Sequence, residues 1–93
     1  MAHKFLVHAP HDSVGVAIRE IEAGEAVEGV VLSDNSVVTV KAVQKIPVGH
    51  KIALQSIAAG AKVIKYSIPI GVAKSAIKPG EHVHVQNVKS GRW

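Results

Sequence analysis

The 93-residue chain contains no cysteine, so neither a disulfide framework nor a cysteine-ligated zinc site is available to it. Aromatic residues are almost missing: Phe5, Tyr66 and Trp93 are the full set. That excludes the stacking platforms on which single-stranded nucleic acids are held. Arg19 and Arg92 are the only arginines, which argues against specific base reading. There is no glycine-rich phosphate loop, no metal-ligand helix and no serine-nucleophile elbow. No apolar run approaches the length needed to span a membrane, and Met1-Ala-His-Lys4 does not lead into the apolar stretch of a secretory signal. The expectation is a soluble cytoplasmic protein with no nucleic-acid and no membrane partner. The length fits one small domain, residues 1–93, with a modest core.

What the chain does contain is a repeated phrase, Ile-x-x-Gly-x-x-(Val/Ile). It occurs four times: Ile21–Val27, Ile46–Ile52, Ile57–Val63 and Ile77–Val83. Glycine tolerates positive φ, so each copy predicts a tight turn leading into a strand, pinned to a core by its flanking apolar residues. Val14–Val27 aligned on Ile70–Val83 gives seven identities in fourteen positions, as expected of a duplicated β unit. The copies are too irregularly spaced for a solenoid. Charge is also uneven. Residues 1–34 carry six acids against Lys4 and Arg19, whereas residues 35–93 carry eight lysines and Arg92 against Glu81 alone. This asymmetry is that of a chain with an anionic ligand or partner near its C-terminal half, or of a solvated basic surface.

Short β-branched runs dominate. Glu28–Leu32 and Ser36–Val43 flank the turn signal Asp34-Asn35 and predict a hairpin. Lys4–Val7, Lys51–Leu54, Lys62–Tyr66 and His82–Val88 are further predicted strands, with Pro47, Pro69 and Pro79 as punctuation. Helical turns are possible over 17–23 and 73–77, but both segments are short for stable helix. The predicted fold class is all-β, with short strands, many tight turns and few helical turns.

The residues able to carry chemistry are few. On an extended strand His82, His84 and Gln86 share one face, opposite Val83 and Val85. Two imidazoles so placed can ligate a metal or move protons near neutral pH, or can simply be exposed on an edge strand. Gly49-His50-Lys51 puts an imidazole and a cation directly after a turn glycine, where backbone can approach a ligand closely, or where a turn is merely solvated. Lys65-Tyr66 adds a second cation and a phenol. His8 with His11-Asp12 forms a third polar group, in which Asp12 is suited to cap a turn.

Taken together, Phe5-Leu-Val-His8, Asp12-x-Val-Gly-Val-Ala17, Ile46-Pro-Val-Gly-His-Lys-Ile-Ala-Leu54, Val63-Ile-Lys-Tyr66, Ile70-Gly71 and Gly80-Glu-His-Val-His-Val-Gln-Asn87 resemble the SAF-type small domain of altronate and galactarate dehydratases. The same family includes the free-standing small subunit of (2R)-sulfolactate sulfo-lyase, which the chain also resembles. It covers nearly the whole chain. Two positions depart from the usual pattern: Gln86 stands where a third histidine is common, and Ser67 where a glycine is. Glutamine hydrogen-bonds but is a poorer metal ligand than imidazole.

The resemblance implies a β-clip fold and the small subunit of a two-subunit lyase that eliminates sulfite from (2R)-3-sulfolactate to give pyruvate. The alternatives it leaves are the small subunit of an altronate/galactarate-type dehydratase, or a non-catalytic module that binds sugar acids or sulfonates. It implies a separate large, dehydratase-like catalytic subunit as partner, an anionic 2-hydroxy acid as substrate, and Fe²⁺ as cofactor, shared with or bound by that large subunit. The isolated chain is then expected to be inactive. Carried over by position, the implied catalytic residues are His82 and His84, which are also the implied metal ligands. His50, Lys51, Lys65, Gln86 and Asn87 are the implied substrate-binding residues.

Overall fold

The computed structural model describes residues 3–65, 68–84 and 86–90. Met1, Ala2, Tyr66, Ser67, Val85, Arg92 and Trp93, named above, lie outside the described residues. Among the described residues nine strands follow one another: β1 (Phe5–Val7), β2 (Val14–Ala17), β3 (Ala26–Val31), β4 (Val37–Lys41), β5 (Lys51–Ala53), β6 (Lys62–Lys65), β7 (Ile68–Ala73), β8 (His82–Val83) and β9 (Val88–Ser90). A six-stranded sheet runs in the order β4-β3-β1-β2-β5-β8, and a three-stranded sheet in the order β6-β7-β9. Only the β1–β3 pairing is parallel; it sits inside an otherwise antiparallel sheet. The predicted hairpin is present as β3–β4, with Val27 opposite Val40 and Val30 opposite Val37. Asn35 takes φ 60° at its tip, and the Asp34 carboxylate accepts from the Ser36 amide at 3.0 Å.

The four repeated phrases form four copies of one turn. In each, the first isoleucine makes an isolated bridge, Ile21 to Ile46 and Ile57 to Ile77. The glycines Gly24, Gly49, Gly60 and Gly80 all take φ between 82° and 87°. An alanine four residues before each isoleucine completes the unit. Ala17, Ala42, Ala53 and Ala73 are all buried, and each bonds the turn of the matching copy. The Gly49 amide donates to Ala17 O and the Ala17 amide to His50 O, both at 2.8 Å. Ala42 serves Gly24–Glu25 in return, while Ala73 serves Gly60–Ala61 and Ala53 serves Gly80–Glu81. The turns therefore clasp one another in two reciprocal pairs, as a duplicated unit requires.

This clasp is the physical reason that no helical turn forms over 17–23 or 73–77. The Ala17 and Ala73 peptide groups are committed to distant turns, so an i-to-i+4 ladder has no donors or acceptors to start from.

Two apolar clusters follow the duplication. One gathers Phe5, Val7, Ala17, Ile21, Val27, Val31, Val40, Ala42, Ile46 and Ile52. The other gathers Val14, Ala53, Ile57, Val63, Ala73, Ile77 and Val83. The Phe5 ring is fully buried between Gly15 and Gly29. A Cβ at either glycine would come within 2.6 Å of ring carbons. The ring fits because both positions lack a side chain.

The expected strand over 82–88 is corrected. Only His82–Val83 is strand, His84 begins a bend, and Gln86–Asn87 form a turn into β9. His84 and Gln86 therefore do not share a face by strand alternation. The cause is local: Asn87 N–H and Val88 N–H both donate to His84 O, at 3.1 and 3.0 Å, which closes the chain into a turn.

Candidate active site

The pairing of β5 with β8 places Ile52 opposite His82 and Lys51 opposite Val83. His50, at the end of the second glycine turn, is thereby carried against the start of the fourth turn's strand. His50 Nδ1 and His82 Nε2 are 2.8 Å apart, a hydrogen bond between side chains 32 residues apart in sequence. The His84 ring stacks on His50, with centroids 4.0 Å apart and planes 20° apart. His82 and His84 are nearly parallel, at 5.7 Å. One ring nitrogen from each of His50, His82 and His84 lies within 4.8 Å of the other two, and among the described residues this is the only such cluster of potential metal ligands. All three side chains are half-buried.

Neighbouring amides hold the cluster in place. Asn87 is buried. Its Nδ2 donates to His82 O at 2.8 Å and to Glu81 Oε2 at 3.4 Å, while its Oδ1 accepts from the His84 amide at 3.0 Å. The carboxamide is thus saturated by the segment that carries the two histidines. Gln86 Nε2 lies 3.2 Å from His82 Nδ1 and 3.2 Å from His82 O. Gln44 reaches across from the other half, its Oε1 accepting from the His82 amide at 2.9 Å.

The electrostatics favour the neutral ring at His82 and at His84. Burial pushes the His82 pKa below its ordinary value, with help from the charges of His50 and His84. Burial does the same to His84, followed by His50 and Lys51. Burial also lowers the Lys51 ammonium, and repulsion from Lys65 adds to it. Lys51 and Lys65 are therefore close enough to feel one another, and Lys51 close enough to act on His84. A neutral imidazole keeps a ring lone pair for a proton or a metal ion. What the geometry assembles is three imidazoles with Lys51 near His84 and Lys65 near Lys51.

Of the residues singled out in the sequence, His50, His82, His84, Lys51 and Lys65 come together, with Gln86 against His82 and Asn87 beneath. His8, His11 and Asp12 do not join the imidazole cluster. Asp12 is buried, and its Oδ2 accepts from the Ala9 amide at 3.3 Å. Two things escaped sequence reasoning. The third imidazole of the cluster is His50, from a different turn, rather than a residue at position 86. Gln44 supports the cluster with no local signal at all, since its role depends on how the two halves pack.

Residues 3–91 match the family model described as the altronate/galactarate dehydratase SAF domain. The chain belongs to that family. It is 43% identical to (2R)-sulfolactate sulfo-lyase subunit alpha of Chromohalobacter salexigens, with both chains covered end to end. It is 47% identical to the protein of the same name from Paracoccus pantotrophus, over 69% of this chain and 96% of that one. Altronate dehydratase of Escherichia coli is 43% identical over 85% of this chain, which amounts to 15% of the dehydratase. The all-β architecture with its reciprocal turns is the β-clip of this SAF family. Among the described residues no helix is long and apolar enough to cross a membrane.

Proposed function

We propose that this SAF domain is the small subunit of a two-subunit lyase that eliminates sulfite from (2R)-3-sulfolactate to give pyruvate. The observation that carries the reading is the end-to-end match to a sulfo-lyase alpha subunit, on a chain that gathers three imidazoles and two lysines at one place. The chemistry is coherent with those groups. A base removes the C2 proton, the C2 electron pair forms the C2=C3 bond, and the C3–S bond breaks with its electrons leaving on sulfite. The enol takes a proton at C3 and becomes pyruvate. Lys51 and Lys65 offer positive charge to the carboxylate and sulfonate, whose negative character grows as the C2 proton leaves. His84 serves as proton-transfer group or metal ligand. Both roles need an unprotonated ring nitrogen, and the lowered pKa provides one near neutral pH.

Three converging imidazoles are a donor set that suits Fe²⁺, so His50, His82 and His84 are the residues of this chain that would hold it, shared with the large subunit. When bound there, the ion supplies Lewis-acid stabilisation of the charge developing on the substrate's carboxylate and 2-hydroxyl. The chain's own part is to orient the rings through Asn87, Gln86 and Gln44 and to hold the anionic groups through its lysines. No carboxylate belongs to the imidazole cluster among the described residues. In this reading the isolated chain is catalytically silent and works with a larger subunit.

A second reading, the small subunit of a sugar-acid dehydratase, is favoured by the match to altronate dehydratases. The test is to co-express the chain with its large subunit and to assay the pair on (2R)-3-sulfolactate and on altronate. Sulfite and pyruvate release from sulfolactate supports the first reading. Turnover of altronate alone establishes the second. Turnover by the 93-residue chain alone overturns both.

A further inference from the structure

We infer that the face around the imidazole cluster is the docking surface for the larger subunit, so that the site closes only at the interface between the two chains. The inference rests on the small-subunit reading above and goes beyond it by assigning the surface. Among the described residues, the exposed large apolar side chains are Ile18, Leu32, Val37, Val43 and Val48, each 43–60% exposed. Three of them lie on backbone segments that are bonded to the segments carrying the cluster. Val48 is two residues before His50, on the same turn. Ile18 follows Ala17, whose amide donates to His50 O and whose carbonyl accepts from Gly49. The Val43 amide donates to Gly80 O, and its neighbour Gln44 bonds the His82 amide. Leu32 and Val37 lie apart, at the tip of the β3–β4 hairpin.

A half-buried group of imidazoles with Lys51 near it, on segments bonded to others that expose apolar side chains, suits an interface in which surrounding contacts exclude water from a few central residues. The occupant is a protein chain rather than substrate alone, because a small anion leaves Ile18, Val43 and Val48 in water. Altronate dehydratase carries the matching domain as 15% of its length, so in that protein a much larger body of chain is attached to it. Charge adds the partner's chemistry. The cluster holds three histidines and no carboxylate among the described residues, with Lys51 and Lys65 beside it. The complementary face is apolar, with Asp or Glu side chains placed opposite the imidazoles and lysines. Such carboxylates would also furnish an acid–base partner to an imidazole cluster that holds none among the described residues.

The experiment measures the dissociation constant between the purified chain and the large subunit of its own complex, for wild type and single aspartate variants. Val48→Asp and Ile18→Asp should weaken binding by about 30-fold or more, the scale of an interface hot spot. Val37→Asp and Leu32→Asp should bind as wild type. All four positions are exposed, and unchanged thermal unfolding of each free variant establishes that folding is intact. Hydrogen exchange on the wild-type complex is the second measurement, and protection on binding should fall on residues 16–18 and 43–50 rather than 32–37. Loss of binding in the hairpin-tip variants, with Val48→Asp and Ile18→Asp unaffected, overturns the inference while leaving the small-subunit reading intact. Failure of the wild-type chain to bind any large subunit overturns that reading and the inference with it.

Discussion

Gly80 offers the sharpest test of how the two halves are joined. Its φ is +83°, and a Cβ there would overlap Lys41 O and come 2.9 Å from the Lys41 carbonyl carbon. Gly60 is its counterpart in another copy of the turn, with φ +82° and nothing within 4 Å of the added carbon. The two alanine substitutions therefore share one cost and differ in the other. Gly60→Ala should cost about 1–2 kcal/mol, the penalty of holding an L-residue in the left-handed region. Gly80→Ala carries the same penalty plus the cost of moving backbone away from backbone. The Val43 N–H to Gly80 O bond of 3.0 Å sits at that contact. Overpacking of this kind adds about 1–3 kcal/mol. For a chain of this length 1 kcal/mol lowers Tm by roughly 4–8 °C, so Gly80→Ala should melt at least several degrees below Gly60→Ala. Thermal unfolding followed by circular dichroism measures both. Equal losses, or a larger loss at Gly60, would refute the claim that the fourth turn is wedged against β4.

Other outcomes follow from the site. Lys51→Met in the assembled lyase should raise KM by roughly 10–100-fold, the worth of a hydrogen bond to a charged group; a KM equal to wild type in both Lys51→Met and Lys65→Met makes these lysines surface charge. Asn87→Ala should lower kcat about 10-fold, on the scale of one or two lost hydrogen bonds, with KM nearly unchanged, since its carboxamide holds the histidine segment; a raised KM with normal kcat would instead place that carboxamide on the substrate. In the metal-free chain His82 and His84 have pKa values lowered from 6.5. Unfolding then takes up protons once pH drops below about 6.5, so the stability these neutral rings contribute is complete above that value and declines toward their lower folded pKa. Thermal melts with chelator present from about pH 7.5 to about pH 5 should show the decline, and His82→Gln/His84→Gln should flatten it; an unchanged slope would contradict the burial described here.

The turns were legible because their chemistry is local. A glycine at positive φ between two apolar anchors needs no tertiary knowledge to recognise, and Gly24, Gly49, Gly60 and Gly80 behave alike for that reason. The β3–β4 hairpin was legible from Asp34-Asn35 in the same way. The alternation His82-Val83-His84-Val85-Gln86 misled, because period-two patterning carries no mark of the turn that Asn87 closes beneath it. Helical turns over 17–23 and 73–77 looked permissible until the partners of Ala17 and Ala73 were known, and those partners lie far away in sequence. The histidine pair and His50 were each visible, but not that they meet. Joining His50 to His82 depends on the β5–β8 register, which is set by packing and not by either segment alone.

The central claim is that His50, His82 and His84 work as one site. Its most direct test is the kinetics of the assembled complex on (2R)-3-sulfolactate, comparing His50→Ala, His84→Ala and the double variant, with assembly checked for each. Groups acting as a unit are strongly non-additive. Each single variant should lose about 10²–10⁴-fold in kcat, and the double variant should lose no more than the worse single. Normal turnover by assembled His84→Ala, or losses that multiply in the double variant, would contradict the account.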